Sequence, residues 1–129
     1  MSAFIRVFLC DDVPELRTLV RFALEEDVDV RVVGEAGDAA TGVEQIAELQ
    51  PDVVLLDLSL PGLDGLEAIP RIHDVAPASG IVVFSGFAAD RMREPTLSLG
   101  ADHYLEKGES LEKVRSTIRE VGRRHSRPR

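Results

Sequence analysis

Apolar runs typical of strands alternate five times with segments whose apolar residues recur at helical spacing. The runs occupy residues 4–10, 30–33, 53–56, 81–84 and 102–105. The segments between them place Leu, Ile and Val three and four residues apart, which favours helices with one buried face. Alternating strands and helices predict an α/β fold in which a parallel sheet carries helices on both faces. The first, third and fourth runs are almost purely apolar, as expected of strands covered on both sides.

Capping residues and prolines bound the predicted helices. Asp38 and Ser110 are predicted N-caps of the second and last helices, because their side chains can accept a hydrogen bond from a free backbone N–H. Pro70 falls within the third helix, and Pro95 falls within the fourth, which is predicted near residues 91–99. Because proline removes a helical hydrogen bond, we expect these two helices to begin late or to kink.

Size and charge limit the function classes. The 129 residues suffice for one domain, and 44% apolar with 29% charged residues is typical of a folded globular chain. Residues 1–112 carry 22 acidic and 8 basic side chains, whereas residues 113–129 carry 1 acidic and 7 basic. An acidic body repels phosphates, so we predict no direct binding of nucleic acid. We divide the chain into a domain at residues 1–122 and a basic C-terminal tail at residues 123–129.

The cellular compartment of the protein is predicted from features that the sequence lacks. A single cysteine, Cys10, excludes an internal disulfide and favours a reducing environment. No apolar run approaches the roughly 20 residues that cross a bilayer, so no membrane contact is predicted. The first residues lack the pattern of a signal peptide. We therefore predict a cytoplasmic protein.

Polar side chains stand at the ends of four predicted strands. Asp11 and Asp12 follow the first strand, Asp57 the third and Ser85 the fourth, and Lys107 lies just after the fifth. Carboxyl ends of parallel strands meet at one edge of the sheet, where such folds bind ligands. Three carboxylates close together repel one another unless a cation lies among them, and a set of oxygen ligands favours Mg²⁺.

The same set of residues suits phosphoryl transfer. An ammonium such as Lys107 and a hydroxyl such as Ser85 can neutralise phosphoryl oxygens, and a carboxylate such as Asp57 can form an aspartyl-phosphate. Taken singly, each residue has a plainer structural explanation, such as a favourable charge at a helix start or a turn former. The ordered set at successive strand ends is what indicates chemistry.

With these motifs in place, the chain resembles the receiver domain of bacterial two-component response regulators over essentially its whole length. Receivers that precede a helix-turn-helix DNA-binding domain are the most similar, judging by residues 32–36 and 105–108. The resemblance implies a flavodoxin-like, doubly wound, five-stranded parallel sheet with strand order 2-1-3-4-5 and five helices. The motifs that carry it are Asp11-Asp12, residues 56–65 around Asp57, residues 84–86 around Ser85, and Tyr104 with Lys107-Gly108.

The resemblance also implies roles for the acids. Asp57 would accept a phosphoryl group from a histidine kinase or a phosphotransfer protein. Asp12, Asp57 and the backbone carbonyl of Ser59 would bind Mg²⁺ directly, and Asp11 would act partly through water. Beyond its own phosphorylation and dephosphorylation, no enzymatic activity is expected. Two alternatives stay open: a receiver-shaped scaffold that acts without phosphorylation, and a Mg²⁺-dependent aspartyl-phosphate phosphatase, whose second aspartate would stand where this chain has Ser59.

The resemblance also implies a conformational switch, formed by residues at the ends of the fourth and fifth strands. Lys107 would pair with the phosphoryl group, Ser85 would swing toward it, and Tyr104 would turn inward into the vacated space. The surface of the fourth helix, fifth strand and fifth helix would then repack. A phosphorylation-dependent homodimer or a downstream protein would bind that face.

Overall fold

In a computed structural model that describes residues 4–125, strands and helices alternate along the chain as predicted. The elements are β1 (Ile5–Cys10), α1 (Pro14–Glu25), β2 (Val30–Ala36), α2 (Ala39–Leu49), β3 (Val53–Leu56), α3 (Gly65–Val75), β4 (Gly80–Ser85), α4 (Ala89–Ser98), β5 (His103–Glu106) and α5 (Leu111–His125).

The five strands form one parallel sheet in the order β2-β1-β3-β4-β5, which confirms the predicted flavodoxin-like topology. Cys10, the last residue of β1, pairs with Ala36 on one side and with Leu56 on the other. The three strands therefore end level with one another. The chain winds outward in both directions from β1 and β3, and the carboxyl edge between them is where such sheets bind ligands.

Two apolar cores, one on each face, hold the helices to the sheet. On one face Val20 and Leu24 of α1 and Ile118 of α5 pack against the strands. On the other, Ile46 of α2 and Ile69 of α3 do so. Strand residues alternate between the two cores because successive side chains point to opposite faces. The interior strands β3 and β4 are buried along their whole lengths.

The predicted caps are present. The Asp38 side chain accepts a hydrogen bond from the N–H of Thr41 at 2.8 Å. Ser110 Oγ accepts one from the N–H of Lys113 at 3.1 Å. Each satisfies a donor that the first turn of a helix leaves free. These contacts confirm the predicted starts of α2 and α5.

The expectation that prolines delay α3 and α4 is wrong, while the alternative expectation of a kink stays a prediction. Both helices begin well before their proline and continue through it, and α4 begins two residues earlier than predicted. Pro70 and Pro95 are both exposed, so each ring lies on the solvent side of its helix. Each helix also has a carboxylate at its start, from Asp64 in α3 and from Glu106 of β5 in α4. These caps offset part of the cost of the lost hydrogen bond.

Some element ends differ from the predicted ones. β2 continues to Ala36, three residues past its predicted end, and carries Glu35 to the carboxyl edge of the sheet. α5 continues to His125, while the division of the chain at residue 122 stays a prediction. Residues 126–129 of the predicted basic tail lie outside the described residues. None of the helices described has the length and apolar character that a membrane span requires.

Candidate functional site

Backbone hydrogen bonds continue past the strand ends and fix the residues that carry the candidate chemistry. The N–H of Asp57 donates to the carbonyl of Cys10 at 3.0 Å, and the N–H of Lys107 donates to the carbonyl of Ser85 at 2.8 Å. Each residue is therefore tied to the neighbouring strand before the chain turns away. A site built on strand ends is held more rigidly than one built on a free loop.

The three predicted acids lie together at this edge. Asp11, Asp12 and Asp57 each offer a carboxylate oxygen, and these oxygens lie within 4.8 Å of one another. Asp57 is 3% exposed and Asp11 7%, whereas Asp12 is exposed to solvent. Oxygen-only donors at this spacing, open to solvent on one side, suit a hard divalent cation that keeps some of its water.

Lys107 supplies the counter-charge. Its Nζ lies 2.7 Å from Oδ2 of Asp11 and 3.0 Å from Oδ2 of Asp57. Burial alone would lower the pKa of Lys107, but its hydrogen bonds to Asp11 and Asp57 outweigh burial and raise that pKa. The ammonium therefore stays charged at neutral pH. One cation among three carboxylates leaves the cluster net negative, which favours a further cation.

The loop after β3 shapes the mouth of the site. Oδ1 of Asp57 accepts a hydrogen bond from the N–H of Ser59 at 3.0 Å, which fixes the carboxylate. Leu58 and Leu60 are buried and anchor the loop, whereas Ser59 between them is exposed. Gly62 follows with a φ of 97°, a conformation that glycine adopts without strain. The backbone of Ser59 is thereby held beside the acids.

Ser85 and Tyr104, the predicted switch residues, are both buried. The Tyr104 hydroxyl donates to the carbonyl of Phe87 at 2.7 Å, and Ser85 Oγ accepts from the N–H of Phe87 at 3.2 Å. Burial raises the pKa of the Tyr104 phenol and outweighs the lowering effect of Ser85, while the charges of Glu106 and Asp57 add to the rise. The Tyr104 ring thus points inward, and its turn on phosphorylation stays a prediction.

Cys10 lies beside the site but takes no part in ionic chemistry. Burial, with smaller effects from the charges of Asp11 and Asp38, raises the pKa of its thiol to about 12. The thiolate form is therefore negligible at neutral pH, and the thiol behaves as a small apolar group, as the sequence predicts.

Sequence reasoning missed two residues next to the acids, Arg17 and Glu35. Nη1 of Arg17 donates to the backbone carbonyl of Asp11, and its Nε donates to Oε1 of Glu35 at 2.9 Å. The sequence signal that could have identified Glu35 was its position two residues past the predicted end of the second strand. It is an acidic side chain at the carboxyl end of a further strand. Because that strand was predicted to stop near Gly34, Glu35 was not counted among the strand-end groups.

Comparisons with known proteins agree with this geometry. The family model of the response regulator receiver domain matches residues 7–119. The nitrate/nitrite response regulator NarL of Escherichia coli (strain K12) is 40% identical over 101 residues, which cover 78% of this chain and 47% of NarL. A protein-glutamate methylesterase/protein-glutamine glutaminase of Methanospirillum hungatei is 33% identical over 120 residues, which cover 92% of this chain and 34% of that protein. The chain thus spans half or less of these relatives.

A solved structure gives the same result for the fold. A two-component response regulator of the LuxR family from Aurantimonas sp. SI85-9A1 superposes with a TM-score of 0.88 at 28% identity, covering 96% of this chain and 89% of that one. The expected similarity to regulators of the helix-turn-helix class is in line with this match. The family model alone covers most of the chain. The chain therefore belongs to the response regulator receiver domain family.

Proposed function

We propose that Asp57 is the phosphoacceptor of this receiver and that Asp11 and Asp12 complete a Mg²⁺ site beside it. One observation carries the proposal. The Asp57 carboxylate is nearly inaccessible, yet it is held by the Lys107 ammonium on one oxygen and by the Ser59 N–H on the other, within reach of both neighbouring acids. A buried acid with fixed direction and adjacent charge is typical of a functional group.

The proposed reaction is an in-line displacement at phosphorus. An oxygen of Asp57 forms a bond to the phosphorus of a phosphohistidine, and the bond from phosphorus to the histidine nitrogen breaks. The histidine then takes up a proton from solvent. Lys107 moves from pairing with the free carboxylate to pairing with a phosphoryl oxygen, and the Ser85 hydroxyl donates to another.

The metal site is part of the proposal. Asp11, Asp12, Asp57 and the backbone carbonyl of Ser59 would hold Mg²⁺, and their hard oxygen atoms fit that ion. When bound, Mg²⁺ neutralises charge on the phosphoryl oxygens. The residues themselves keep the nucleophile fixed and exclude water from its inner side.

The expected donor is a histidine kinase or a phosphotransfer protein, and the exchange is expected in the cytoplasm. The proposed output surface is the face of α4, β5 and α5, where a second copy or a downstream protein would bind. Two contacts support this surface. Tyr104 and Glu106 of β5 both bind the segment that leads into α4, the first through the Phe87 carbonyl and the second through the Ala89 N–H. A change at the site can therefore reach α4.

The phosphoacceptor is tested by intact mass after incubation with acetyl phosphate and Mg²⁺. We expect a gain of one phosphoryl group that requires Mg²⁺ and is absent from Asp57→Asn. Asp64→Asn is the matched control, because Asp64 is an exposed acid of the same loop and should leave the adduct unchanged. An adduct that survives Asp57→Asn, or that forms equally in EDTA, would contradict the proposal. No adduct in any variant would favour the unphosphorylated scaffold.

The output surface is tested by sedimentation with and without beryllofluoride. We expect self-association to increase with the mimic, and Leu97→Glu to reverse that increase, because Leu97 is an exposed apolar residue of α4. Leu19→Glu on α1 is the matched control, since Leu19 is similarly exposed on a different face. Identical sedimentation under both conditions would argue against the dimer.

A further inference from the structure

The peptide group between Asp11 and Asp12 is held from outside the acid cluster. Nη1 of Arg17, in the first turns of α1, donates a hydrogen bond to the carbonyl oxygen of Asp11. The Arg17 side chain is 19% exposed, so this contact is largely shielded from solvent. A Cβ at Gly37 would come within 3.3 Å of the same guanidinium nitrogen. The glycine leaves room for the guanidinium.

Glu35 fixes the guanidinium in turn. Its Oε1 accepts from Nε of Arg17 at 2.9 Å, and its Oε2 accepts from Nε of Arg21 at 2.8 Å. Burial alone would raise the pKa of Glu35, but hydrogen bonds from Arg21 and Arg17 outweigh burial and lower it. The carboxylate therefore stays ionised at neutral pH. A planar guanidinium bound on two of its edges has a defined direction.

The two acids joined by this peptide are held very differently. The Asp11 carboxylate accepts the N–H of Val13 at 2.9 Å and pairs with Lys107 at 2.7 Å. Within residues 4–125, no hydrogen bond or ion pair is seen at the exposed Asp12 carboxylate. The direction of the Asp12 side chain thus depends on its backbone. That backbone begins at the peptide group whose carbonyl Arg17 binds.

We infer that Arg17 is a positioning residue for the metal site: through the Asp11 carbonyl it sets the direction in which Asp11 and Asp12 present their oxygens to Mg²⁺. The inference rests on the proposed function of the cluster. Arg17 adds no ligand, because a guanidinium is a cation that carries only donors and offers no lone pair to a metal. Groups that orient metal ligands in this way commonly change metal affinity tenfold or more when removed.

Arg21 provides a matched control. Arg17 and Arg21 lie on the same helix, carry the same charge and bind the same carboxylate, but the contact with the Asp11 carbonyl belongs to Arg17. Removal of either charge changes the electrostatics of α1 and frees part of Glu35. A difference between the two variants therefore measures the main-chain contact.

The test is calorimetric titration of MgCl₂ into the full chain without any phosphodonor. We expect Arg17→Gln to raise the Kd for Mg²⁺ by about tenfold or more, and Arg21→Gln to raise it by less than about threefold. Arg17→Lys, which keeps the charge but lacks the planar fork of donors, should give an intermediate value. Thermal unfolding of each variant in EDTA reports whether the fold is intact.

Equal Mg²⁺ affinities of Arg17→Gln and Arg21→Gln would overturn the inference, since helix charge alone would then explain any change. If Arg17→Gln does not fold, the pair Arg17→Lys and Arg21→Lys decides in the same way. The experiment distinguishes failure of the proposed metal site from failure of the proposed role of Arg17. A wild-type chain that binds no Mg²⁺, or that binds it equally after Asp12→Asn, would overturn the metal site itself. Wild-type binding that depends on Asp12 and ignores Arg17 would overturn this inference alone.

Discussion

The segments that follow β3 and β4 begin alike but differ in what stabilises them. Each leaves a fully buried strand at a candidate site residue, Asp57 or Ser85, and each leads into a helix with an internal proline. α3 has its own cap, because the Asp64 side chain accepts from the N–H of Leu66 at 3.0 Å. α4 has no side-chain cap at its N-cap Ala88.

Burial separates the two helices further. α3 buries three residues, Ala68, Ile69 and Ile72, whereas α4 buries Thr96 alone. The start of α4 is held from outside, by Glu106 of β5, whose carboxylate accepts from the N–H of Ala89 at 2.5 Å. A helix with few buried contacts, capped by a residue of another element, unfolds locally at low free-energy cost, as a segment that changes conformation must. The proposed nucleophile thus lies after β3, in the segment whose helix has its own cap and buried contacts, and the proposed output lies after β4, in the segment whose helix depends on β5.

The largest expected effect breaks the β3 segment. A Cβ at Gly65 would lie 2.1 Å from the carbonyl oxygen of Leu58, which cannot move away without shifting the loop. We expect Gly65→Ala to lower the free energy of unfolding by about 3 kcal/mol. Gly86, in the corresponding segment after β4, has no heavy atom within 4 Å of such a Cβ. Gly86→Ala should change stability by less than about 0.5 kcal/mol. Urea unfolding measures both, and equal losses would erase the contrast.

A second prediction strengthens α4. Pro95 lies within the helix and removes an N–H that could bind the carbonyl of Arg91. We expect Pro95→Ala to stabilise the helix by about 2 kcal/mol, after allowance for the more flexible unfolded chain. Hydrogen exchange of the α4 amides should slow. Pro77→Ala, in the exposed loop after α3, is the control and should leave α4 exchange unchanged. Unaltered α4 exchange in Pro95→Ala would show that the packing of α4, and not its proline, limits the stability of the helix.

A third prediction separates the local cap from the borrowed one. Glu106→Ala should cost about 1 kcal/mol through loss of the contact with the Ala89 N–H, and Asp64→Ala a similar amount at α3. Glu106→Gln keeps an acceptor oxygen and should retain most of the stability. Exchange of the Ala89 amide should rise in Glu106→Ala and stay low in Asp64→Ala. If both variants affect α4 equally, the cap is not specific to β5.

The smallest expected effect concerns acid. The pKa of Glu35 is below its ordinary value of 4.5, because hydrogen bonds from Arg21 and Arg17 outweigh the opposing effect of burial. A lowered folded-state pKa gives stability that is complete above pH 4.5 and is lost as pH falls through the lowered value. Glu35→Gln should therefore show a shallower loss of stability between about pH 5 and about pH 3. Parallel curves from urea unfolding would mean that Glu35 contributes nothing to acid sensitivity.

The sequence predicts the sheet and the acid cluster well because both depend on local patterns. Apolar runs such as residues 53–56 specify buried strands by themselves, and a parallel sheet brings their carboxyl ends together. The three acids are thereby placed without any knowledge of side-chain contacts.

Features that depend on contacts with residues distant in the sequence could not be predicted. The last residues of β2 include Gly34 and Glu35, which disfavour strands, and they extend because Leu9 and Cys10 of β1 pair with Glu35 and Ala36. The early start of α4 likewise depends on Glu106, seventeen residues from the N–H that it caps. Propensity cannot show such contacts, because the tertiary structure supplies them.

Tyr104 has an optical consequence. The chain contains no tryptophan and no other tyrosine, so its tyrosine emission comes from one ring. That ring is 1% exposed, and its hydroxyl binds the loop that joins the Ser85 strand end to α4. Any rearrangement of this loop changes the polarity and quenching around a single fluorophore. The unlabelled chain therefore contains its own spectroscopic reporter of the segment proposed to switch.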